Sequence, residues 1–524
     1  SKGKLQLEQL DLSLNDLPQA AFKQARVGVD YALAFDLKKQ RLSLSTFLLN
    51  FNDSVVGAEG DIDLSADDPH LQMALLLDHL DLRQLLEGLP KGLSRDLEIY
   101  SLAGKIDGRI ALAGSANSGA KLLQSADLTL IDVRATVAEK RAGINGTVKY
   151  RDDTATTQKL ILKMADQQLQ LDFKAENLTG DLVRGEFLLA ADTLNLNQLL
   201  PQDTVQQAAE GSGPVAEGPL VERRATLAEE VGPFDLPVDM TGRLQVGKLI
   251  YNQLEMTRAR ADVVLKDNHL KINPLRTDLA GGELNLVADV NLGVKGLQYQ
   301  GQMKVDQSNL MGVAAGLVPQ AEQSISGLLQ WQNNFSGRGT QPDNLLQSLQ
   351  VKGAMLLQQG QISGSPLLEQ ISLFLGIPDL KVLSFDALEG RYDLRNGLAS
   401  LDGQLNSSKT KLVPKGTVGV DGALDMKLDA RIAPELLQKM GVKSGLKKVV
   451  SDQNGWGVLP LAIKGTLSRP KIAFDSEALQ QQAADKLKQE AANRLFDKLG
   501  SGTEAEQKPV KQLLEGTLNR LFGN

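Results

Sequence analysis

The chain has 524 residues, 57 basic and 64 acidic, and a net charge of −7, so it offers no basic surplus for nucleic acid, whose phosphates call for a basic patch. Hydrophobic residues at 42% exclude wholesale disorder, while aromatics at 4% leave the apolar complement mostly to Leu, Val, Ile and Ala, with Trp331 and Trp456 the two tryptophans. The absence of cysteine excludes disulfides, thiolate metal sites and cysteine nucleophiles.

Length alone suggests about two to four domains. No run of about 18 apolar residues is available to span a bilayer. Strand pattern begins at once, at Leu5 and Leu7, which reads as a fragment of a longer polypeptide. From 1 to 204 one strand follows another. Leu42 and Leu44, then Leu160, Leu162 and Met164, then Leu169, Leu171, Phe173 and Ala175 alternate with polar residues, as strands with one apolar and one wet face do. Asp152-Asp153 and Asp166-Gln167-Gln168 supply turn signals. The unit Leu80-Asp-Leu-Arg-Gln-Leu-Leu86 recurs as Leu194-Asn-Leu-Asn-Gln-Leu-Leu200, with looser echoes at Val305–Met311 and Ile432–Leu437. Each predicts a strand running into a short helical turn, a repeated supersecondary unit.

Residues 205–236, with Gly211-Ser-Gly-Pro214 and Glu217-Gly-Pro219, read as a flexible linker or long loop. Strand texture resumes over 237–475. Val238–Leu292 holds the cleanest alternation, and Leu367–Leu375 an apolar helix-like stretch. Over 476–524 the period changes. Leu479, Ala483, Leu487, Ala491, Leu495 and Leu499 fall four apart, the mark of an amphipathic helix, and a second short one is expected from Pro509. Its basic residues are interleaved with acidic ones, so it carries no strongly basic membrane-binding face.

Candidate chemistry is sparse. His70, His79 and His269 have no partner at ligand spacing and read as structural. Asp61 and Asp63 share the polar side of a strand and read as solvated rather than as an acid–base pair. No dinucleotide fingerprint, phosphate loop or nucleophile elbow is found, so no catalytic residue, metal ligand or cofactor is expected. The one feature with a functional reading is the long aliphatic face. Its nominated lining is Leu169, Leu171, Phe173, Leu284, Leu286, Val290, Met426, Leu428 and Leu461. Alternation fixes which residues share a face. It leaves open whether protein covers that face, as in packed sheets or a closed solenoid, or lipid does.

Val238–Tyr251, Leu254, Ala261–Leu265, Leu270–Leu275 and Leu279–Leu284 resemble the AsmA-like family of Gram-negative envelope proteins, with Asn273-Pro-Leu275 followed by Ala280-Gly-Gly282 the most specific part. Gly353–Gly364 with Phe385, Gly390, Asn396 and Gly397, and Leu459–Pro470, fit as well. The resemblance covers 237–475 well and 1–204 loosely. It implies a β-groove like that of bridge-like lipid transfer proteins, phospholipids and the inner and outer membranes as partners, and envelope proteins as candidates at the groove ends. It also implies a periplasmic location, anchored to the inner membrane by an N-terminal helix absent from this chain.

The expected fold is mostly β: an elongated, twisted, largely antiparallel sheet curled into a hydrophobic groove, with short helices and a C-terminal helical tail. About 25 strands at roughly 4.8 Å would make a groove on the order of 120 Å long. The expected function is a periplasmic bridge that moves phospholipids between the membranes. The alternatives are an assembly factor or scaffold for outer-membrane proteins, whose exposed edges template strands, and a closed solenoid enzyme acting on polysaccharide.

Overall fold

The computed structural model describes residues 1–14, 17–51, 54–88, 101–137, 140–199, 230–317, 325–440, 451–452 and 454–499. The protein is mostly β, and the 24 strands among its described residues belong to one hydrogen-bonded sheet. Among the described residues the first strand pairs only with the second and the last only with the one before it, so the sheet is not closed into a barrel. Two compact units divide the chain. One holds 1–279, 283–301 and 339–341, and the other holds 280–282, 302–338 and the chain from 342.

In the first unit fourteen strands, from Lys2–Leu14 to His269–Leu279, pair in chain order. Two-residue turns in left-handed conformation make this antiparallel progression possible. Asp152-Asp153 has φ 47° and 60°, and Asp267-Asn268 has φ 50° and 60°. Such turns match the strand twist and favour Asp and Asn. One pairing is parallel, Val183–Asn195 beside Val238–Tyr251. A parallel neighbour requires a long crossover, and the crossover is where the predicted linker falls. Its residues 205–229 lie outside the described ones. Residues 230–237 run irregularly along strand ends, where Leu236 N–H donates to Asn268 Oδ1 at 2.7 Å and Phe234 N–H to Leu292 O at 2.9 Å. In the second unit eight strands, from Ile325–Arg338 to Arg469–Phe474, pair antiparallel in chain order.

The repeated unit folds as its sequence predicts. Helices Leu82–Gly88, Leu196–Leu199, Leu310–Leu317 and Pro434–Lys439 each follow a strand directly or after one residue. Asp81 Oδ1 accepts the N–H of Arg83 at 3.0 Å and of Gln84 at 3.1 Å. Asn195 and Asn309 serve Asn197 and Met311 in the same way, each at 3.0 Å. These bonds satisfy N–H groups that a helix start leaves orphaned. Gln167, expected in a turn, instead opens a strand and is buried. Its Nε2 donates to Asn195 O and Gln198 Oε1, both at 3.0 Å, pinning the strand to the short helix beyond Asn195.

Bulges keep the apolar face in phase. His79, Asp132 and Lys159 lie inside strands with φ of 50°, 48° and 57°. Before Asp132 the face residues are Leu128 and Leu130, and after it Val133 and Ala135. Thr157 likewise gives way to Leu160 and Leu162 across Lys159. One extra residue per strand moves the following set back to the same side. The freed N–H of each bulge residue donates to an Asp or Asn on the next strand: Asp107 at 2.6 Å, Asn145 at 2.7 Å, and Asp172.

Residues 476–499 form the predicted tail helix, while the second one expected from Pro509 lies outside the described residues. Ser308 sits where Leu80 and Leu194 sit in the related units. It is fully buried, and its Oγ has no hydrogen-bond partner among the described residues. A buried hydroxyl without a partner carries a desolvation penalty. Ser308→Ala should therefore leave stability unchanged or raise it by up to about 1 kcal/mol. Gln167→Ala, which strands its partners, should cost about 2 kcal/mol. Urea unfolding of the two variants checks both signs.

Candidate functional site

Residues directly opposite one another on paired strands point to the same side of the sheet. In the first unit, Leu128, Val148, Thr157, Phe173, Phe187, Gly242, Val263 and Ile272 are opposed in series across eight strands. Beside this row runs Leu160, Leu171, Leu189, Leu244, Ala261 and Leu275. Thr157 interrupts the aliphatic series, but its Oγ1 donates to Thr147 O at 2.6 Å and so is satisfied. At Gly242 a Cβ would come within 2.4 Å of the Phe187 ring, so only glycine lets that ring lie along the face.

The other side is charged. Arg109, Asp127, Lys149, Thr156, Lys174 and Glu186 are opposed in series there. Ion pairs such as Arg151–Asp127 at 2.7 Å and Arg109–Glu59 at 2.6 Å cross it. The hydrogen bond from Lys174 to Glu176 raises the lysine's pKa, on an exposed side chain that water already screens.

The aliphatic rows are not sealed. Leu128, Val148, Phe173, Phe187, Leu171, Leu189, Leu244, Val263 and Ile272 are all partly exposed. A second sheet packed on this face would bury them, and among the described residues the strands belong to one sheet. The second unit differs. On Ala423–Ile432, Leu424, Met426, Leu428, Ala430 and Ile432 are at most 8% exposed, and Leu459, Leu461 and Ile463 on the next strand at most 1%. Ile371 and Leu375 of the helix Pro366–Leu375, with Ile377, Leu380, Leu436, Leu437 and Met440, complete one cluster with them. These short helical segments form a protein cap. Lys439 Nζ bonds both Asp379 oxygens at 3.0 Å, joining its two parts and holding the Asp379 carboxyl below its ordinary range.

The nominated lining residues therefore fall into three places. Leu169, Leu171 and Phe173 share a strand of the first unit, with Leu169 buried and the other two partly exposed. Leu284, Leu286 and Val290 lie together on Gly282–Asn291, partly exposed. Met426, Leu428 and Leu461 lie under the cap. Sequence reasoning missed Phe187 and Leu189, because Phe187-Leu-Leu-Ala190 is a continuous apolar run that hides the alternation. The histidines are structural in position. His70 and His269 open strands, His269 bonds Asp289 at 2.7 Å, and His79 with Asp78 and Asp107 holds a bulge. Asp61 accepts from Ser43, and Ser65 holds the Asp63 carboxyl below its usual range.

The tail helix docks through its first turn. Leu479 packs on the capped cluster, and Asp475 Oδ1 accepts the N–H of Ala478 at 3.2 Å while its carboxylate meets Lys427 at 3.1 Å. Further along, Leu487 is 68% exposed.

Residues 142–402 match the family model described as the AsmA family. The chain belongs to the AsmA family. The AsmA match begins in the strand Lys140–Arg151, well ahead of the resemblance at Val238, and ends in Leu398–Asn406, before the capped strands. It thus takes in both aliphatic rows from Val148 and Leu160 onward. No curated protein and no solved structure matches this AsmA-family chain.

Leu461→Glu places a charge in a sealed cluster and should cost at least about 4 kcal/mol. Leu171→Glu on the unsealed face should cost about 1–2 kcal/mol, because the carboxylate reaches water. Chemical denaturation of both gives the contrast. Asp475 has its pKa lowered from 3.8, first by Lys427 and then by the Ala478 N–H. Its contribution is therefore complete above about pH 4 and is lost as pH falls through the lowered folded value. Hydrogen exchange over 476–490 should accelerate in that acid range, and Asp475→Asn should reproduce the effect at neutral pH.

Proposed function

We propose that this AsmA-family protein is a periplasmic lipid-transfer bridge that moves phospholipids between the inner and outer membranes along the aliphatic side of its sheet. The single observation that carries the reading is the double row from Val148 to Ile272 and from Leu160 to Leu275, whose members other than the buried Thr157, Leu160 and Ala261 are partly exposed, backed by a charged opposite face. Membership of a non-enzymatic envelope family is consistent with it.

Acyl chains rest on the rows while head groups stay in water. Each methylene removed from water contributes about 0.8 kcal/mol, so one chain gains on the order of 10 kcal/mol. Successive rows repeat every strand, about 4.8 Å apart, and differ little in chemistry. A chain that slides by one strand exchanges one aliphatic contact for an equivalent one, which keeps the barriers low. The fourteen paired strands of the first unit offer a path of about 60 Å along the sheet, about twice the hydrocarbon thickness of a bilayer. Direction comes from the ends, where donor and acceptor membranes and envelope proteins meet the protein.

A photoreactive amino acid at Phe187 or Val263, on the open rows, should form adducts with phospholipid in cells. The same residue at Met426 or Leu461, beneath the cap, should form few or none. Adducts confined to protein at Phe187 and Val263 would overturn the lipid reading.

A further inference from the structure

The apolar stripe of the tail helix outlasts its docking. Ser476–Leu499 carries Leu479, Ala483, Leu487, Ala491, Leu495 and Leu499 at a constant spacing of four. Leu479 packs on the capped cluster, and Lys486 Nζ donates to Ser451 O at 2.7 Å, so the side that meets the protein holds Leu479 and Lys486. A helix turns about 100° per residue, so a spacing of four drifts by about 40° at each step. Two steps from Leu479 take Leu487 about 80° off the docked side. Leu487 is 68% exposed, and Ala491 after it is exposed too. From Leu487 onward the apolar stripe of the helix is left uncovered by the described residues.

The chain continues from Leu499 with residues 500–524, which lie outside the described ones. Their sequence holds a face that fits. Val510, Leu513, Leu514, Leu518, Leu521 and Phe522 fall on one side at helical spacing. A helix of about 14 residues from Pro509 is marginal by itself, and Gly516 weakens it, so it needs an apolar surface to form on. Gly500-Ser-Gly502 ends the first helix, and the segment Gly500–Lys508 reaches about 30 Å when extended, against roughly 8–10 Å between packed helix axes. An antiparallel return then sets Leu513 beside Leu495, Thr517 beside Ala491 and Leu521 beside Leu487, so that two leucine pairs bracket Ala491.

Charge and chain length favour this occupant over two others. Lys508, Lys511 and Arg520 are balanced by Glu504, Glu506 and Glu515, whereas helices that lie on anionic membranes present a basic face. A second copy of the chain competes poorly, because the short connection holds the segment at an effective concentration of about a millimolar.

We propose that residues 509–522 dock antiparallel on the uncovered stripe that starts at Leu487, closing the tail into a helical hairpin. This contact is independent of the lipid-transfer reading.

The chain has no cysteine, so introduced pairs report the hairpin directly. In the whole chain, Ala491→Cys with Thr517→Cys should oxidise to a disulfide within one molecule about tenfold faster than Gln489→Cys with Thr517→Cys, because position 489 lies on the other side of the helix. Both pairs leave every leucine in place, and positions 489 and 491 are exposed, so the sheet should fold in each. Leu518→Glu, which puts a charge in the apolar seam, should bring the two rates together without changing the unfolding of the sheet. Equal rates in the chain that keeps Leu518 would overturn the proposal. So would disulfides formed mainly between molecules, which would assign the stripe to a second copy. Loss of the fast crosslink on adding phosphatidylglycerol vesicles would overturn it as well, and would assign the stripe to a lipid surface.

Discussion

Everything in this protein depends on keeping one side of a very long sheet apolar without a second sheet to cover it. A period-2 pattern does this within a strand, but a strand pairs on both edges, and a slip of one residue turns the whole aliphatic set to the wrong side. The bulges at His79, Asp132 and Lys159 are therefore part of the design. Each lets a strand change phase midway, so that Leu80 follows Leu77, Val133 follows Leu130 and Leu160 follows Thr157 on one face. An Asp or Asn of the next strand takes up each freed N–H. Register and facing are thus fixed strand by strand from local bonds, and the sheet grows without a global core.

The strand-end helices serve the same need at the rim. A sheet one layer deep loses its apolar shielding where strands stop. There Leu80, Leu194 and Ile432 are buried, and a helix follows within one residue of each strand's end. The capping Asp81, Asn195 and Asn309 make so short a helix tenable, because a helix of one or two turns leaves most of its N–H groups orphaned.

Much of this was legible in the residues. Alternation at Leu169, Leu171 and Phe173, the paired left-handed turns at Asp152-Asp153 and Gly397, and the recurring Leu-Asp/Asn-Leu unit are local signals that the fold obeys. What covers a face is not local. Ala423–Ile432 alternates as cleanly as Gln167–Glu176, yet the first is sealed and the second lies partly open, because the helix Pro366–Leu375 comes from far away in the chain to sit on one and not the other. Gln167 shows the same limit. Its neighbours read as a turn, and only the parallel strand and its short helix reveal that its amide is a clamp. The parallel junction itself has no signal in either strand, since pairing direction is set by where an intervening crossover returns.

The division between open and sealed regions also separates two kinds of free energy. Beneath the cap, aliphatic burial by helices contributes to folding, and the cluster from Leu424 to Ile463 is as dry as an ordinary core. Along the rows from Val148 and Leu160 the burial is left incomplete, with Leu171, Phe173, Phe187, Leu189, Leu244 and Val263 partly exposed. The family match covers those rows and stops at 402, short of the capped strands. The cap residues Ile371, Leu375, Ile377 and Leu380 lie inside the matched span, so that span holds both the partly open rows and the segments that seal the later strands. On the lipid-transfer reading, an aliphatic chain is the ligand that would complete the partly open rows without demanding a partner for any charge.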